Sequence, residues 1–466
     1  MTFKNIQTPD LDFFHKTLAP ERVLLDEDNL KRCASDETED FSFPPEVVLQ
    51  PISAEEISKV MAYCNEHKIA VTPRGGGTGL SGGALPIYGG VCLDMRRMNN
   101  IISIDTENFQ VTTEPGIITE VLQNAIIEKG LFYPVDPSSK GSCFIGGNIA
   151  ENSGGPRAVK YGTVKDYVLN LEVVLPTGEV IWTGANTLKN ATGYNLTQLL
   201  VGSEGTLAVV TKIVLRLIPY PTDNLLMLVP FHSAEEACEA VNKIMLAGYN
   251  PSALEFMERD ALTCAIAFNK NSSLIIPEEI KAHLLIEVDG NNKEVLFSEM
   301  EGIAQLMEQF ETGEILFAES AQQKAELWRL RRTVGEAVKS TSVYKEEDTV
   351  VPRAYLPQLL HTVKTIGNKY GFKSVCYGHA GDGNLHVNIV KDTLSDEAWQ
   401  QELPKAIREI FEYVKSVNGT LSGEHGIGYV QRPFMDIVFN EVQLGLMRGI
   451  KQLFDPNGIL NPGKIL

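Results

Sequence analysis

The feature that most limits how this chain can fold is a run of glycines near its start, Pro73-Arg74-Gly75-Gly76-Gly77-Thr78-Gly79-Leu80-Ser81-Gly82-Gly83. Residues without a Cβ let consecutive backbone N–H groups turn toward one anion, giving a nest suited to a diphosphate. Its length and the strand signal before it (AVTP) argue against a merely flexible loop. Gly77-x-Gly79-x-x-Gly82 formally matches a dinucleotide fingerprint, but that fingerprint needs a helix to begin in the loop. Gly83, Pro86, Gly89 and Gly90 follow at once, so no helix can be written there and a Rossmann domain is not expected.

Two further patches share the character. One runs from Asp136-Pro137 through Gly146-Gly147 and Asn152-Ser153-Gly154-Gly155 to Tyr161-Gly162. The other runs from Lys189-Asn190-Ala191-Thr192-Gly193-Tyr194-Asn195 to Glu204-Gly205-Thr206. Three such segments suit a long ligand lying along backbone.

Around them, residues 45–220 alternate short apolar runs with turn clusters, and only EEISKVMAYCNEHK and ITEVLQNAIIEKG read clearly as helices. After Pro219 and Pro221, helix-like and strand-like segments alternate in a pattern suited to helices on one face of an antiparallel sheet. At 466 residues the chain exceeds one ordinary core. The expected division is 1–220, completed by a returning tail 440–466 that carries Asn461, and 221–439. The fold class is α+β.

Composition removes other classes. Hydrophobic residues at 43% and charged residues at 22% are globular values. A formal charge of −19 disfavours nucleic acid as a partner. Seven cysteines without a CxxC pair read as core thiols in a reducing compartment, and they offer no iron–sulfur ligand cluster. The N-terminus lacks a signal-peptide apolar region and no stretch is long enough to span a bilayer, so a cytoplasmic location without an integral membrane segment is expected.

Three of the eight histidines fall in two compact motifs, Gly378-His379-Ala380-Gly381-Asp382-Gly383-Asn384-Leu385-His386 and Ser422-Gly423-Glu424-His425-Gly426. A Gly-Asp-Gly turn between two strand ends aims His379 and His386 at one point. Glu424 adds a carboxylate, giving an open site for Zn, Mn or Fe(II); imidazole disfavours magnesium and calcium. The competing reading is of histidines satisfied within turns. His425, beside Glu424, is available to take a proton from a hydroxyl near neutral pH, or to orient a neighbour.

Together these segments resemble the flavoproteins with a vanillyl-alcohol-oxidase (PCMH) type FAD-binding domain. The RGGGTGLSGG loop is similar to that family's pyrophosphate loop, and IGGN…NSGG…KYG and GSEGTLAVVT to its flavin-contacting motifs. The resemblance assigns Pro73, Arg74, Gly75, Gly76, Gly77, Thr78, Gly79, Ser81, Gly82, Asp136, Pro137, Gly146, Gly147, Asn152, Gly154, Gly155, Tyr161, Gly162, Glu204, Gly205 and Asn461 to FAD. No histidine for covalent attachment stands beside Gly75–Gly83, so noncovalent FAD is implied. GHAGDGNLH and SGEHGIG resemble the cap of the FAD-linked D-2-hydroxyacid dehydrogenases, which include D-lactate and D-2-hydroxyglutarate dehydrogenases and the glycolate oxidase catalytic subunit. That resemblance implies metal ligands His379, His386 and Glu424, with His425 as the base. It also implies Asn388 on the substrate carboxylate and Arg331 on an anionic group of substrate, unless that arginine forms a surface ion pair.

In the hydroxyglutarate enzymes a threonine follows the arginine by four residues. Here Gly335 stands there, and Lys345 matches their lysine only with a one-residue shift, so D-lactate or glycolate is favoured. The implied acceptor of electrons is separate: an electron-transfer flavoprotein, an iron–sulfur subunit or a quinone. Paired subunits are common in such a family, so a homodimer is one expected state. The rival readings are a non-redox transferase of the alkylglycerone-phosphate synthase type and a metal-dependent hydrolase whose glycine loop binds a nucleotide.

Overall fold

The computed structural model describes residues 2–38, 41–270 and 274–466. The chain divides into two compact units. The first comprises 1–154, 163–220 and 424–466, and the second 155–162 and 221–423.

In the first unit a four-stranded sheet pairs Val23–Leu24 antiparallel with Val47–Leu49, then continues in parallel through Val91–Asp94 to Val71–Arg74. The helix Ala54–His67 makes the parallel crossover. Ser53 starts it by accepting the Glu56 N–H (3.3 Å), and Lys68 ends it in a left-handed conformation. Its inner face, Ile57, Val60, Met61 and Cys64, is fully buried against the sheet's Val47, Leu49, Val71 and Leu93. A five-stranded antiparallel sheet follows, in the order Ile101–Asp105, Gln110–Thr113, Val209–Arg216, Val168–Val174, Val180–Trp182. No helix forms between Arg74 and Val91, as the glycine and proline spacing requires.

The tail returns to this unit. Val71 donates to Ile459 O (2.9 Å) and accepts from the Asn461 N–H (2.7 Å). Asp455 fastens the return by accepting from the N–H groups of Ile459 (3.1 Å) and Leu460 (2.8 Å) and from Lys451 Nζ (2.5 Å).

The second unit is built on seven antiparallel strands in the order Leu316–Phe317, Asp223–Phe231, Ala282–Gly290, Ala253–Glu258, Lys373–Gly378, Asn384–Val390, Tyr344–Val350. The antiparallel sheet is as expected, but helices cover both faces rather than one. Ala234–Leu246, Lys293–Met307 and Leu356–Tyr370 pack on one side. Arg259–Phe268, Ala321–Arg332 and Val334–Lys339 bury Leu226, Met257, Leu285, Val375 and Tyr377 on the other. The strands here carry apolar residues at odd and even positions alike, the pattern of a sheet buried on both sides.

All seven cysteines are free, six of them buried. Among the described residues, no helix is long and apolar enough to cross a membrane.

Asp455 is 1% exposed and holds both backbone and Lys451. Replacing it with alanine is expected to destabilise the protein by about 2–4 kcal/mol, since buried donors lose their partner. Equilibrium urea unfolding checks this.

Candidate active site

In the second unit, strand register gathers the polar residues. Tyr377 lies opposite both Met257 and His386, and Asn388 lies opposite both Val375 and Glu346. Asp348 faces His386, and Glu255 faces Leu285. Alternation along each strand therefore places Glu255, Tyr377, His386, Asn388, Glu346 and Asp348 on one face. His379, two residues beyond Tyr377, joins them at the strand end.

The turn that joins the histidines demands its glycines. Gly383 has φ +81°, and a Cβ there would run into Val351 O. His379 and His386 are 4% and 3% exposed, and their ring centroids lie 5.4 Å apart, edge to face. Glu255 meets His379 Nδ1 at 2.9 Å through either oxygen, and Arg331 Nη2 at 2.6 Å. Burial alone would raise the Glu255 pKa, but the Arg331 guanidinium and His379 outweigh it and hold the carboxyl below its ordinary range. His386 Nδ1 lies 3.2 Å from Glu346 Oε1. The Arg331 guanidinium also sits 5.0 Å from the Tyr377 ring centroid. Burial, with Glu346 nearby, pushes the Tyr377 hydroxyl well above its usual pKa.

Asn388 is fully buried, and neither of its amide atoms has a hydrogen-bond partner of good geometry; Arg331 Nε likewise lacks one. Buried polar groups are rarely left so; with the Tyr377 hydroxyl beside it, the Asn388 amide is available to a polar ligand or a water. Asp348 reaches the start of the second motif, accepting from Ser422 Oγ (2.8 Å) and from the Gly423 N–H (2.8 Å).

Lys345 pairs with Ile389, so its side chain leaves from the opposite face and the structure does not bring it to His386 and Asn388. Arg331 is buried and paired with Glu255 rather than forming a surface ion pair. A Cβ at Gly335 would lie 3.0 Å from the Tyr377 hydroxyl, so the missing side chain leaves that hydroxyl uncrowded. The acids Glu255, Glu346 and Asp348 were not singled out from sequence. Their signal is an acid at an inward position of a strand such as ALEFME, legible only once the register is known.

The first unit gathers most of the residues assigned to FAD. The loop after Val71–Arg74 lies across residues 142–147: a Cβ on Gly76 would sit 2.7 Å from Ser142 O, and one on Gly75 would sit 3.6 Å from Gly147 Cα. Gly146 is pressed on Pro115 and Gly205 on Pro73. Asp136 and Pro137 open the turn that ends at Ser142, with Pro137 O accepting from the Lys140 N–H (2.9 Å). Thr78 and Gly79 are half-buried within the loop. Arg74, 5% exposed, donates to Ser35 O (2.8 Å) and Arg32 O (3.2 Å), while its Nη1 has no partner. Ser81 Oγ is likewise buried and without one. A guanidinium and a hydroxyl left unsatisfied beside a loop stripped of side chains fit a diphosphate.

Asn152 anchors the Lys165 N–H (2.9 Å) and Thr163 Oγ1 (3.2 Å), and a Cβ on Gly154 would lie 3.0 Å from Glu424 Oε2. Glu424 and His425 also belong to this unit, with Glu424 Oε1 4.0 Å from His425 Nε2. Gly155, Tyr161 and Gly162 fall in the second unit, where Tyr161 donates to Asp289 (2.9 Å). Residues 189–195 are exposed, Tyr194 by 97%.

Residues 45–184 match the model of the FAD binding domain, and residues 220–465 that of the C-terminal domain of FAD linked oxidases. The chain belongs to the FAD-linked oxidase family. It is an FAD-dependent oxidoreductase. It is 36% identical to a D-lactate dehydrogenase of Anaerostipes hadrus over 99% of this chain and 98% of that protein. It is 37% identical to the glycolate oxidase subunit GlcD of Bacillus subtilis over 92% of this chain and 91% of that one. The p-cresol methylhydroxylase structure matches with TM-score 0.78 at 18% identity, covering 100% of this chain and 98% of that one. At that identity the match shows the fold alone, the vanillyl-alcohol-oxidase (PCMH) type expected from the glycine segments.

Because Arg331 and Glu255 form a pair 3% and 0% exposed, removing the cation strands a buried charge. Arg331→Ala is expected to cost about 3–5 kcal/mol, and Glu255→Gln in the same protein to restore part of it. A double-mutant cycle by urea unfolding checks the coupling.

Proposed function

We propose that this protein oxidises a short D-2-hydroxy acid, D-lactate or glycolate in preference to D-2-hydroxyglutarate, to the 2-oxo acid. The observation that carries the reading is the His379–His386 pair, backed by Glu255 and flanked by the unsatisfied Asn388 amide, in a member of the FAD-linked oxidase family.

FAD would be held noncovalently by the glycine loop with Arg74 and Ser81, and when bound supplies the hydride acceptor. His379, His386 and Glu424 would hold a divalent metal, two imidazoles and one carboxylate being a donor set suited to such an ion. A metal-ligating histidine commonly presents its other nitrogen to a carboxylate, as His379 does to Glu255. Such an ion, Zn, Mn or Fe(II), would lower the pKa of the substrate hydroxyl.

The chain's own residues do the rest. Asn388 donates to the substrate carboxylate, and Arg331, whose charge is already met by Glu255, offers its unpartnered Nε–H to an anionic group of the substrate. His425 takes the hydroxyl proton as hydride leaves the same carbon. Gly335 offers no hydroxyl to a second carboxylate, and Lys345 leaves from the other face, which favours a monocarboxylate. Electrons then pass to a separate acceptor: an electron-transfer flavoprotein, an iron–sulfur subunit or a quinone.

Anaerobic mixing with D-lactate, glycolate and D-2-hydroxyglutarate is expected to bleach the flavin band with at least one of the first two; bleaching by none of the three overturns the reading. His425→Asn should keep FAD yet slow bleaching by roughly 10²–10⁴-fold. Chelation should lower the bleaching rate and re-addition of Zn, Mn or Fe(II) restore it; activity unmoved in protein shown metal-free by elemental analysis would remove the metal from the proposal.

A further inference from the structure

The segment carrying Glu424 and His425 has no regular secondary structure, so something else must fix where His425 points. Glu204, 6% exposed, lies under the residues that follow. Its Oε1 accepts the Ile427 N–H at 2.7 Å and its Oε2 the Gly428 N–H at 2.6 Å. Two consecutive amides converging on one acceptor form a nest, and here the acceptor is the protein's own carboxyl, its pKa pushed up to about 7 by burial despite the two amides. The backbone takes left-handed angles on either side, φ +81° at Gly426 and +49° at Gly428. A Cβ on Gly426 would run into Glu151 Oε2 and lie 3.0 Å from Glu204 Oε1, so the packing of both carboxyls here requires glycine.

Glu204 is itself held. It adopts φ +50°, a left-handed value uncommon for a side-chain-bearing residue. Its carbonyl accepts from Asn461 Nδ2 at 2.8 Å, and the same amide donates to Gly83 O at 2.9 Å. Just downstream, Ser81 O accepts the N–H groups of Tyr429 (2.8 Å) and Val430 (3.0 Å). Within the first unit the glycine loop, the Ser203–Thr206 turn and the histidine loop are thus tied at one point.

We infer that Glu204 is a positioning residue for the oxidation, fixing the 424–428 loop through its amides so that His425 meets the substrate hydroxyl, rather than a ligand of the flavin phosphates. This rests on the reading of His425 as proton acceptor. Glu204→Gln alters one atom: it keeps one acceptor and turns an N–H₂ toward the other amide, so the grip is halved with little change in volume.

The test is anaerobic stopped-flow reduction of the FAD holoenzyme by whichever of D-lactate and glycolate bleaches the wild type. E204Q is expected to keep FAD stoichiometry and the flavin spectrum, with substrate affinity little changed and the reduction rate lowered by roughly a hundredfold, the scale of an ångström's misplacement. In the His425→Asn background the same change should add little, because a positioning residue acts only through the group it positions. Wild-type reduction by E204Q overturns the inference. So does loss of FAD from folded E204Q, which would return Glu204 to the cofactor site, or a loss that multiplies fully in the double variant. If E204Q does not fold, Glu204→Asp retains the charge on a shorter arm and should slow reduction with FAD bound; a wild-type rate there is equally fatal. His425→Asn that bleaches normally instead overturns the reading of the base, whatever Glu204 variants do.

Discussion

The buried carboxylate of Glu255 is the interaction around which the second unit is arranged. An uncompensated charge in the middle of a sheet covered on both faces would cost several kcal/mol. Arg331 at 2.6 Å and His379 at 2.9 Å compensate it. The consequence is architectural: the helix Ala321–Arg332 must end over this part of the sheet, and the turn after Lys373–Gly378 must bring His379 back to it. Electrostatics thereby fixes the orientation of one imidazole, and the strand register fixes the other. The two rings therefore meet edge to face with their centroids 5.4 Å apart.

The first unit uses the same economy with backbone in place of sheet register. Glycines remove the side chains that would separate three loops, and carboxylates and amides such as Glu204 and Asn461 fill the space with hydrogen bonds. Burial pushes the Glu151 carboxyl well above its ordinary pKa, with Glu204 and Asp36 adding to the effect.

Much of this was legible in the chain. The glycine run excluded a Rossmann turn, and the structure indeed continues from Arg74 to Val91 without a helix. The GHAGDGNLH spacing brought His379 and His386 to one place because Gly383 permits the turn. Other features depended on pairing that no local pattern carries. The inward acids Glu255, Glu346 and Asp348 are invisible until strands are aligned. Lys345 looked suitable by position, yet one residue of register sends it to the other face. Helices on both faces were missed because the alternation of helix-like and strand-like segments says which elements exist, not which side each crosses. The 189–195 stretch has the glycine and asparagine of a ligand loop, but it is exposed, and composition alone does not separate a turn that cradles from a turn that merely reverses.

The returning tail has a consequence for biosynthesis. The strand Val71–Arg74 finds its neighbour Val91–Asp94 early, but its other side is met only by Leu460, nearly 390 residues later in the chain. While the ribosome is still making the second unit, the Val71 N–H and C=O on that edge have no partner, and Pro73, which carries no N–H, leaves little else there for another strand to pair with. The first unit therefore closes over this edge only after the second has been synthesised, and a nascent chain stalled before Asp455 would leave Val71 unpaired there.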